Sequence, residues 1–399
     1  MHSKNQADKS AIEKKGVYSC QFKQSLSLPQ HIRSTMEVKQ FLGLQVFEFA
    51  YLMALAFFPF FIAQREVAIT ILMVASVYVV FSVIKHALSY KVDPANKVVI
   101  ITGCDTGFGN SLAQRLDSLG FTVIAGCLDK SSDGAEQLKS STSGRLHVIP
   151  LDVTDDTGIS NCLSFFEEEL PGKDLWALVN NAGIIVRGDV EFTSVKSYQK
   201  VADVNLFGTI RMTKAFLPHL RKHKGRIINV SGASGCISLP SLSAYSISNY
   251  GIEAFSDALR LEMKQFGVKV IIIEPGNYYG STGLQNRAAL PGIQKAFAAL
   301  WAEAPETVRQ AYGKGYIDSQ YKAVAEQSKT SASSLAPVID ILELAIMQVN
   351  AKPRYLISGS NQIFDYLNVL LWWKPWLPER IFDKLVENSY CQRAPAVSN

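Results

Sequence analysis

The stretch K-V-V-I-I-T-G-C-D-T-G-F-G-N-S-L-A-Q-R-L-D-S-L-G, Lys97 to Gly120, decides the fold. A short β-branched run, Val98 to Thr102, reads as a buried strand. Gly103, Gly107 and Gly109 follow, with Phe108 between the last two. S-L-A-Q-R-L-D-S-L-G then reads as an amphipathic helix ending at Gly120. Glycines between a strand and a helix let the backbone turn tightly and approach a diphosphate, which rests on the helix N-terminus. The spacing is G-x-x-x-G-x-G. A Gly-rich turn alone is weak evidence, but here the strand precedes it and the helix follows.

Outward from this unit the pattern repeats. F-T-V-I-A-G-C, R-L-H-V-I-P-L-D-V-T and L-W-A-L-V-N-N-A-G read as strands two to four, and G-R-I-I-N-V-S and V-K-V-I-I-I-E-P-G as two more. Strands alternating with helices predict an α/β fold, a Rossmann-like doubly wound parallel sheet covered on both faces, over residues 97–360. Ser-rich pieces at 140–143 and 328–334 read as loops.

The chain has 399 residues, 48% hydrophobic and 19% charged, enough to bury a large core. Its charge of +5 is uneven. Residues 1–40, a polar tail, hold seven Lys/Arg against three Asp/Glu, whereas 98–399 hold 29 of each. A nucleic-acid-binding domain concentrates basic charge on itself, so nucleic acid is not an expected partner. The six cysteines, Cys20, Cys104, Cys127, Cys162, Cys236 and Cys391, show no C-x-x-C spacing and read as single thiols. His219 and His223 lack a third ligand nearby, and no metal is expected.

Between tail and sheet lie two apolar stretches, Leu42 to Ala63 and Val67 to Ile84, separated by Q-R-E at Gln64 to Glu66. A bilayer span needs about 20 apolar residues. The pair predicts one or two transmembrane helices within 41–86, most simply a hairpin, with two buried core helices as the alternative. Lys39 on one side and Lys85, Lys91 and Lys97 on the other put both flanks in the cytosol.

With N-N-A-G at Asn180 to Gly183 and a tyrosine at Tyr245, the chain resembles the short-chain dehydrogenase/reductase family. T-G-C-D-T-G-F-G, V-I-A-G-C-L, L-D-V-T, V-N-L-F-G-T-I-R-M-T-K-A-F-L-P and A-F-S-D-A-L-R-L-E-M resemble its branch of retinol dehydrogenases, 17-beta-hydroxysteroid dehydrogenase type 2 and 3-hydroxybutyrate dehydrogenase. The resemblance implies that Thr102, Gly103, Gly107, Phe108 and Gly109 line a dinucleotide, with Asp152 at the adenine. It puts Asn180, Ala182 and Gly183 beside the ribose, and Pro275 and Gly276 beside the nicotinamide. N-N-A-G also reads as a plain structural turn. The end of the second strand, Gly126 to Asp129, carries no Arg or Lys for a 2′-phosphate, and Asp129 can approach a ribose hydroxyl. NAD(H) is therefore favoured over NADP(H).

In the family a Tyr moves the proton at the substrate oxygen, a Lys four residues later favours its phenolate, a Ser holds that oxygen and an Asn orders water. Here Tyr245 and Asn205 are present, but N-V-S-G-A-S-G puts Gly232 at the Ser position and Y-S-I-S-N puts Asn249 at the Lys position. Asn249 can donate to a ribose hydroxyl but cannot lower the tyrosine pKa by charge. Ser231 points away if the strand continues, which leaves Ser234 as the better hydroxyl. Two readings stay open: a slow enzyme skewed toward carbonyl reduction, or an inactive dinucleotide-binding sensor, scaffold or partner subunit.

The segment after Gly276, N-Y-Y-G-S-T-G-L-Q-N-R-A-A-L-P-G-I-Q-K-A-F-A-A-L-W, corresponds to the family's variable lid. It suits a lipophilic alcohol or ketone, steroid or retinoid before hydroxybutyrate, or else ordinary helix packing. In the C-terminal segment 361–399, Trp372, Trp373 and Trp376 cluster with Lys374 and Arg380. That composition fits a membrane interface, with a homodimer contact or core helix as the alternatives. The expected location is a membrane, endoplasmic reticulum with the catalytic domain facing the cytosol, or the mitochondrial membrane as the alternative.

Overall fold

The computed structural model describes residues 46–55, 57, 65–87, 90–313, 315–361 and 365–390. The polar tail, Cys20, Cys391 and much of the first apolar stretch lie outside the described residues. The chain divides into two units, Met1–Ala87 and Leu88–Asn399.

In the first unit, 46–55 are helical (α1) and α2 spans Arg65–Ala87. Val74, Val77, Tyr78, Val80, Phe81 and Val83 of α2 are all exposed. Among the described residues, no helix is long and apolar enough to cross a membrane. The expected hairpin therefore does not follow from the fold.

The second unit carries seven strands: β1 Lys97–Thr102, β2 Thr122–Cys127, β3 Leu146–Pro150, β4 Asp174–Asn180, β5 Arg226–Val230, β6 Lys269–Pro275 and β7 Arg354–Ile357. All are parallel, in the order β3-β2-β1-β4-β5-β6-β7. The order reverses between β1 and β4, and ligands bind at the carboxyl ends of strands flanking such a point. Six strands were expected. The seventh is only four residues long, too short for its pattern to show in the sequence.

Helices between strands are α3 Gly107–Ser118, α4 Asp133–Ser141, α5 Asp156–Glu169, α6 Val195–Ala202, α7 Gly208–His223 and α8 Ser243–Met263. After β6 come α9 Leu290–Glu303, α10 Glu306–Tyr312, α11 Gly315–Lys329 and α12 Ala336–Met347. After β7 come α13 Tyr366–Trp373 and α14 Glu379–Tyr390. The Ser-rich pieces are partly helical, since α4 runs to Ser141 and α11 to Lys329.

Strand side chains alternate between faces. Val99 and Ile101 of β1 pack with Leu112 and Leu116 of α3 and Leu342 and Ile346 of α12. Val98 and Ile100 pack on the other face with Phe166 of α5, Met212 and Phe216 of α7 and Leu259 of α8. Each such fully buried side chain contributes roughly 1.5–3 kcal/mol. Two dry layers hold the carboxyl ends of β1, β4, β5 and β6 in one plane.

Candidate active site

The turn between β1 and α3 is built for a close backbone approach. Gly107 has φ +65°, a conformation that favours glycine. A Cβ on Gly109 would lie 2.3 Å from the carbonyl oxygen of Gly103. Only a bare glycine lets the first turn of α3 press on the loop. Thr106, which precedes α3, makes no side-chain cap. The first N–H groups of α3 therefore remain unclaimed by a cap, which suits an anion. The helix starts at Gly107, one turn earlier than its apolar pattern suggests.

A cavity of about 300 Å³ opens at this turn. Gly103, Gly107, Phe108, Ala182, Gly183, Asn205, Tyr245, Asn249, Pro275 and Gly276 all border it. Of the other expected residues, Thr102 is buried behind it, and its Oγ1 accepts from the main-chain N–H groups of Asn181 and Ala182 at 3.0 and 2.9 Å. Asn180 is placed elsewhere: its amide is buried in the sheet and donates to Asn229 Oδ1 at 2.8 Å. Asn181, which sequence reasoning passed over, borders the cavity and donates to the carbonyls of Thr102 and Gly103 at 2.8 and 3.0 Å. Of adjacent residues at a strand end, one faces the sheet and the next faces the turn.

Asp152 and Asp129 do not border the cavity. Asp152 Oδ1 accepts from the N–H and hydroxyl of Thr154, both at 2.8 Å, closing a local turn. Asp129 Oδ1 accepts from Ser131 N at 2.8 Å. Asp105 does border the cavity, and its carboxylate accepts from the N–H groups of Leu128 and Asp129.

Asn205 sits in a π-helical turn, Asp203–Phe207, a distortion frequent at functional sites. Its amide is fully engaged. It accepts from Ile184 N at 2.8 Å and donates to Ile184 O and to Ser248 Oγ, each at 3.0 Å.

Tyr245 lies in the first turn of α8 with its hydroxyl toward Gly232. A Cβ built on Gly232 would stand 3.8 Å from that hydroxyl and 3.6 Å from the carbonyl of Pro275, ordinary contact distances. Burial pushes the Tyr245 phenol well above the usual tyrosine range, and the neighbouring Tyr279 phenol adds to this. The Asn249 amide and the Arg187 cation pull it partly back. Asn249 Nδ2 donates one N–H to the carbonyl of Tyr245 at 2.8 Å, tying the amide to its own helix.

Neither serine replaces the missing hydroxyl directly. Ser231 borders the cavity, but its hydroxyl donates to Glu253. Ser234 is buried outside the cavity lining, with its Oγ 3.3 Å from the Tyr279 hydroxyl. Beneath them Arg354 of β7 bonds both Glu253 and Glu274. Cys236, Glu253 and Glu274 converge closely enough to resemble a metal cluster. The Arg354 guanidinium already supplies the positive charge there.

The segment that follows β6 borders the cavity with Tyr279, Thr282, Gly283 and Leu284 and continues into α9, α10 and α11. Its helices form a separate apolar cluster around Phe192, Phe297, Ile317 and Val324. Arg187 enters beside it, and its guanidinium stacks 5.3 Å from the Tyr279 ring centroid. Nothing in the sequence pattern marks Arg187, because only the folded chain brings it to Tyr279.

Known proteins agree with this geometry. A family model described as short chain dehydrogenase matches residues 97–289. The mitochondrial D-beta-hydroxybutyrate dehydrogenase of Bos taurus is 44% identical over 276 residues, 68% of this chain and 80% of that one. Retinol dehydrogenase 7 of Mus musculus is 40% identical over 269 residues, covering 67% and 83%. The human 17-beta-hydroxysteroid dehydrogenase type 6 is 37% identical over 304 residues, covering 76% and 91%. In fold, a short-chain dehydrogenase from Streptomyces avermitilis superposes with a TM-score of 0.53 at 24% identity, over 73% of this chain and 96% of that one. The chain belongs to the short chain dehydrogenase family, whose members are oxidoreductases acting on CH–OH groups.

Proposed function

We propose that this protein is a membrane-attached, NAD(H)-dependent oxidoreductase of a lipophilic alcohol or ketone, slow and skewed toward carbonyl reduction. The observation that carries this is Tyr245, its hydroxyl turned into a cavity bounded by the glycine turn and by Pro275 and Gly276. A bound nicotinamide dinucleotide supplies or accepts the hydride. The open N–H groups of α3 hold its diphosphate. Tyr245 keeps its proton, because burial opposes the phenolate, and gives it to a carbonyl oxygen. Oxidation of an alcohol needs that phenolate as base, and Asn249 brings no charge to favour it. Acid–base catalysis contributes roughly 10²–10⁴-fold, and members of one unit are not additive in loss. The two changes together cost little more than the worse one.

Asp105 and Asp129 support NAD(H) over NADP(H). A 2′-phosphate near the end of β2 would add an anion beside a carboxylate. Membrane attachment is supported by the exposed apolar side chains of α2 and by exposed Trp372, Trp373 and Trp376. The endoplasmic reticulum with the catalytic domain facing the cytosol is our placement, and the mitochondrial membrane is the alternative. A homodimer contact is the other reading of the Trp cluster, which sedimentation in detergent separates. The relatives named for retinol and 17-beta-hydroxysteroids motivate the substrate class.

The test is a panel of steroid and retinoid ketones with NADH in microsomes, alongside Tyr245→Phe and the pair Gly232→Ser with Asn249→Lys. Turnover lost with Tyr245→Phe supports the proposal. Gly232 and Asn249 favour the second reading, a dinucleotide-binding subunit without turnover. NADH binding without turnover in the native chain, with activity in the restored pair, selects it.

A further inference from the structure

We propose that Tyr279 supplies the hydroxyl that Gly232 lacks, donating a hydrogen bond to the substrate oxygen beside Tyr245, with Arg187 as its positioning cation. This rests on the oxidoreductase reading above and deepens it. Tyr279 borders the same cavity as Tyr245 and Gly232. The two phenol rings meet edge to face, with centroids 6.3 Å apart. The Tyr279 hydroxyl is 3.3 Å from Ser234 Oγ. Ser234, outside the cavity lining, thus acts on the cavity only through Tyr279.

Tyr279 is held from three sides. Its carbonyl accepts the N–H of Gln285 at 3.0 Å, closing the loop behind it. Gln285 is fully buried, and its Oε1 accepts from Arg187 Nη2 at 3.1 Å. The same nitrogen donates to Gln327 Oε1 at 2.7 Å. Arg187 then lies over the Tyr279 ring. Among the described residues, the side-chain partners of Arg187 are the two amides and the Tyr279 ring, and its Nε is buried without a hydrogen-bond partner. Neutral amides leave its charge uncancelled, and in a low-dielectric site that field acts on the Tyr245 phenol. A substrate carbonyl that takes hydride at carbon and the Tyr245 proton at oxygen receives from Tyr279 a hydrogen bond alone. No proton leaves Tyr279.

The experiment compares native chain, Tyr279→Phe, Arg187→Gln and Tyr279→Phe with Gly232→Ser, each in full length with NADH. Tyr279→Phe is expected to lower kcat for ketone reduction roughly 100-fold, the scale of one lost oxyanion donor, with NADH affinity unchanged. Gly232→Ser is expected to restore most of that loss, because it returns a hydroxyl to the cavity wall beside the Tyr245 hydroxyl. Tyrosine-labelled NMR titration reads the cation: Arg187→Gln moves the Tyr245 ionisation to higher pH. Unchanged kcat in Tyr279→Phe, or a loss that Gly232→Ser does not repair, overturns the hydroxyl role. An unmoved titration overturns the role of Arg187. Absence of turnover in the native chain sinks the oxidoreductase reading instead and this proposal with it.

Discussion

The Asp105 carboxylate accepts the main-chain N–H of Leu128 at 2.9 Å, tying the glycine turn to the end of β2. Its second oxygen takes the N–H of Asp129 at 3.1 Å. In the proposed cofactor placement this acid sits where the two dinucleotides differ. Asp105→Asn keeps an acceptor and removes the charge. The expected outcome is a shift of about tenfold toward NADPH, equal to about 1.4 kcal/mol, in the ratio of NADPH to NADH dissociation constants. Fluorescence titration with both cofactors measures it, and an unchanged ratio removes Asp105 from the preference.

Gly109→Ala should separate the fold from cofactor binding. The new methyl would meet the Gly103 carbonyl at 2.3 Å and the Asn181 amide at 2.7 Å. Overpacking of this kind costs about 1–3 kcal/mol. The loop must also shift away from the position that an approaching diphosphate needs. A lowered Tm with NADH affinity lost is expected. A normal NADH affinity would show that the diphosphate does not lie on this turn.

The pH dependence follows from Tyr245. Its ionisation is raised in the folded chain, chiefly by burial. A raised phenol stays neutral up to and beyond the free value near 10. Carbonyl reduction should therefore stay flat through pH 6–9, while alcohol oxidation climbs with pH and does not level off. For stability the sign is the same: the contribution is whole below the unfolded value and is lost as pH rises past it toward the folded one. Asn249→Lys should bring the oxidation limb down in pH. An oxidation rate that levels off near neutrality in the native chain contradicts this account.

Arg354 should prove structural. Glu253 and Glu274 are buried, and Arg354 is their shared partner. Burial pushes the Glu253 carboxyl up, while Ser231 and Arg354 oppose it. Arg354→Gln leaves two carboxyls facing each other, at a cost of roughly 3 kcal/mol, the low end for a broken buried pair because Arg354 is itself partly exposed. Chemical denaturation at pH 7 and pH 5 checks it. The loss should shrink at pH 5, where protonation relieves the repulsion.

The sheet was legible because each central strand is a short apolar-rich run, with β1 and β6 strongly β-branched, and because a glycine turn joins the first to a helix. Strand β7 was not, since R-Y-L-I owes its place to pairing with β6. Tyr245, Asn205, Gly232 and Asn249 could be located by spacing along one segment of chain. Asn181 could not be told from Asn180, because which of two adjacent side chains faces a turn is a matter of backbone direction. Arg187 and Tyr279 are 92 positions apart, and no local pattern links them.

The open contacts at Gly232 carry a historical meaning. Had the hydroxyl been lost long ago without consequence, neighbouring side chains would be free to drift into the room it left. No neighbour has done so: Pro275, Asn249 and Tyr245 all stand at ordinary contact distance from a Cβ placed there. A Cβ can be added at this position with its neighbours where they stand, so the shell around Gly232 admits a side chain.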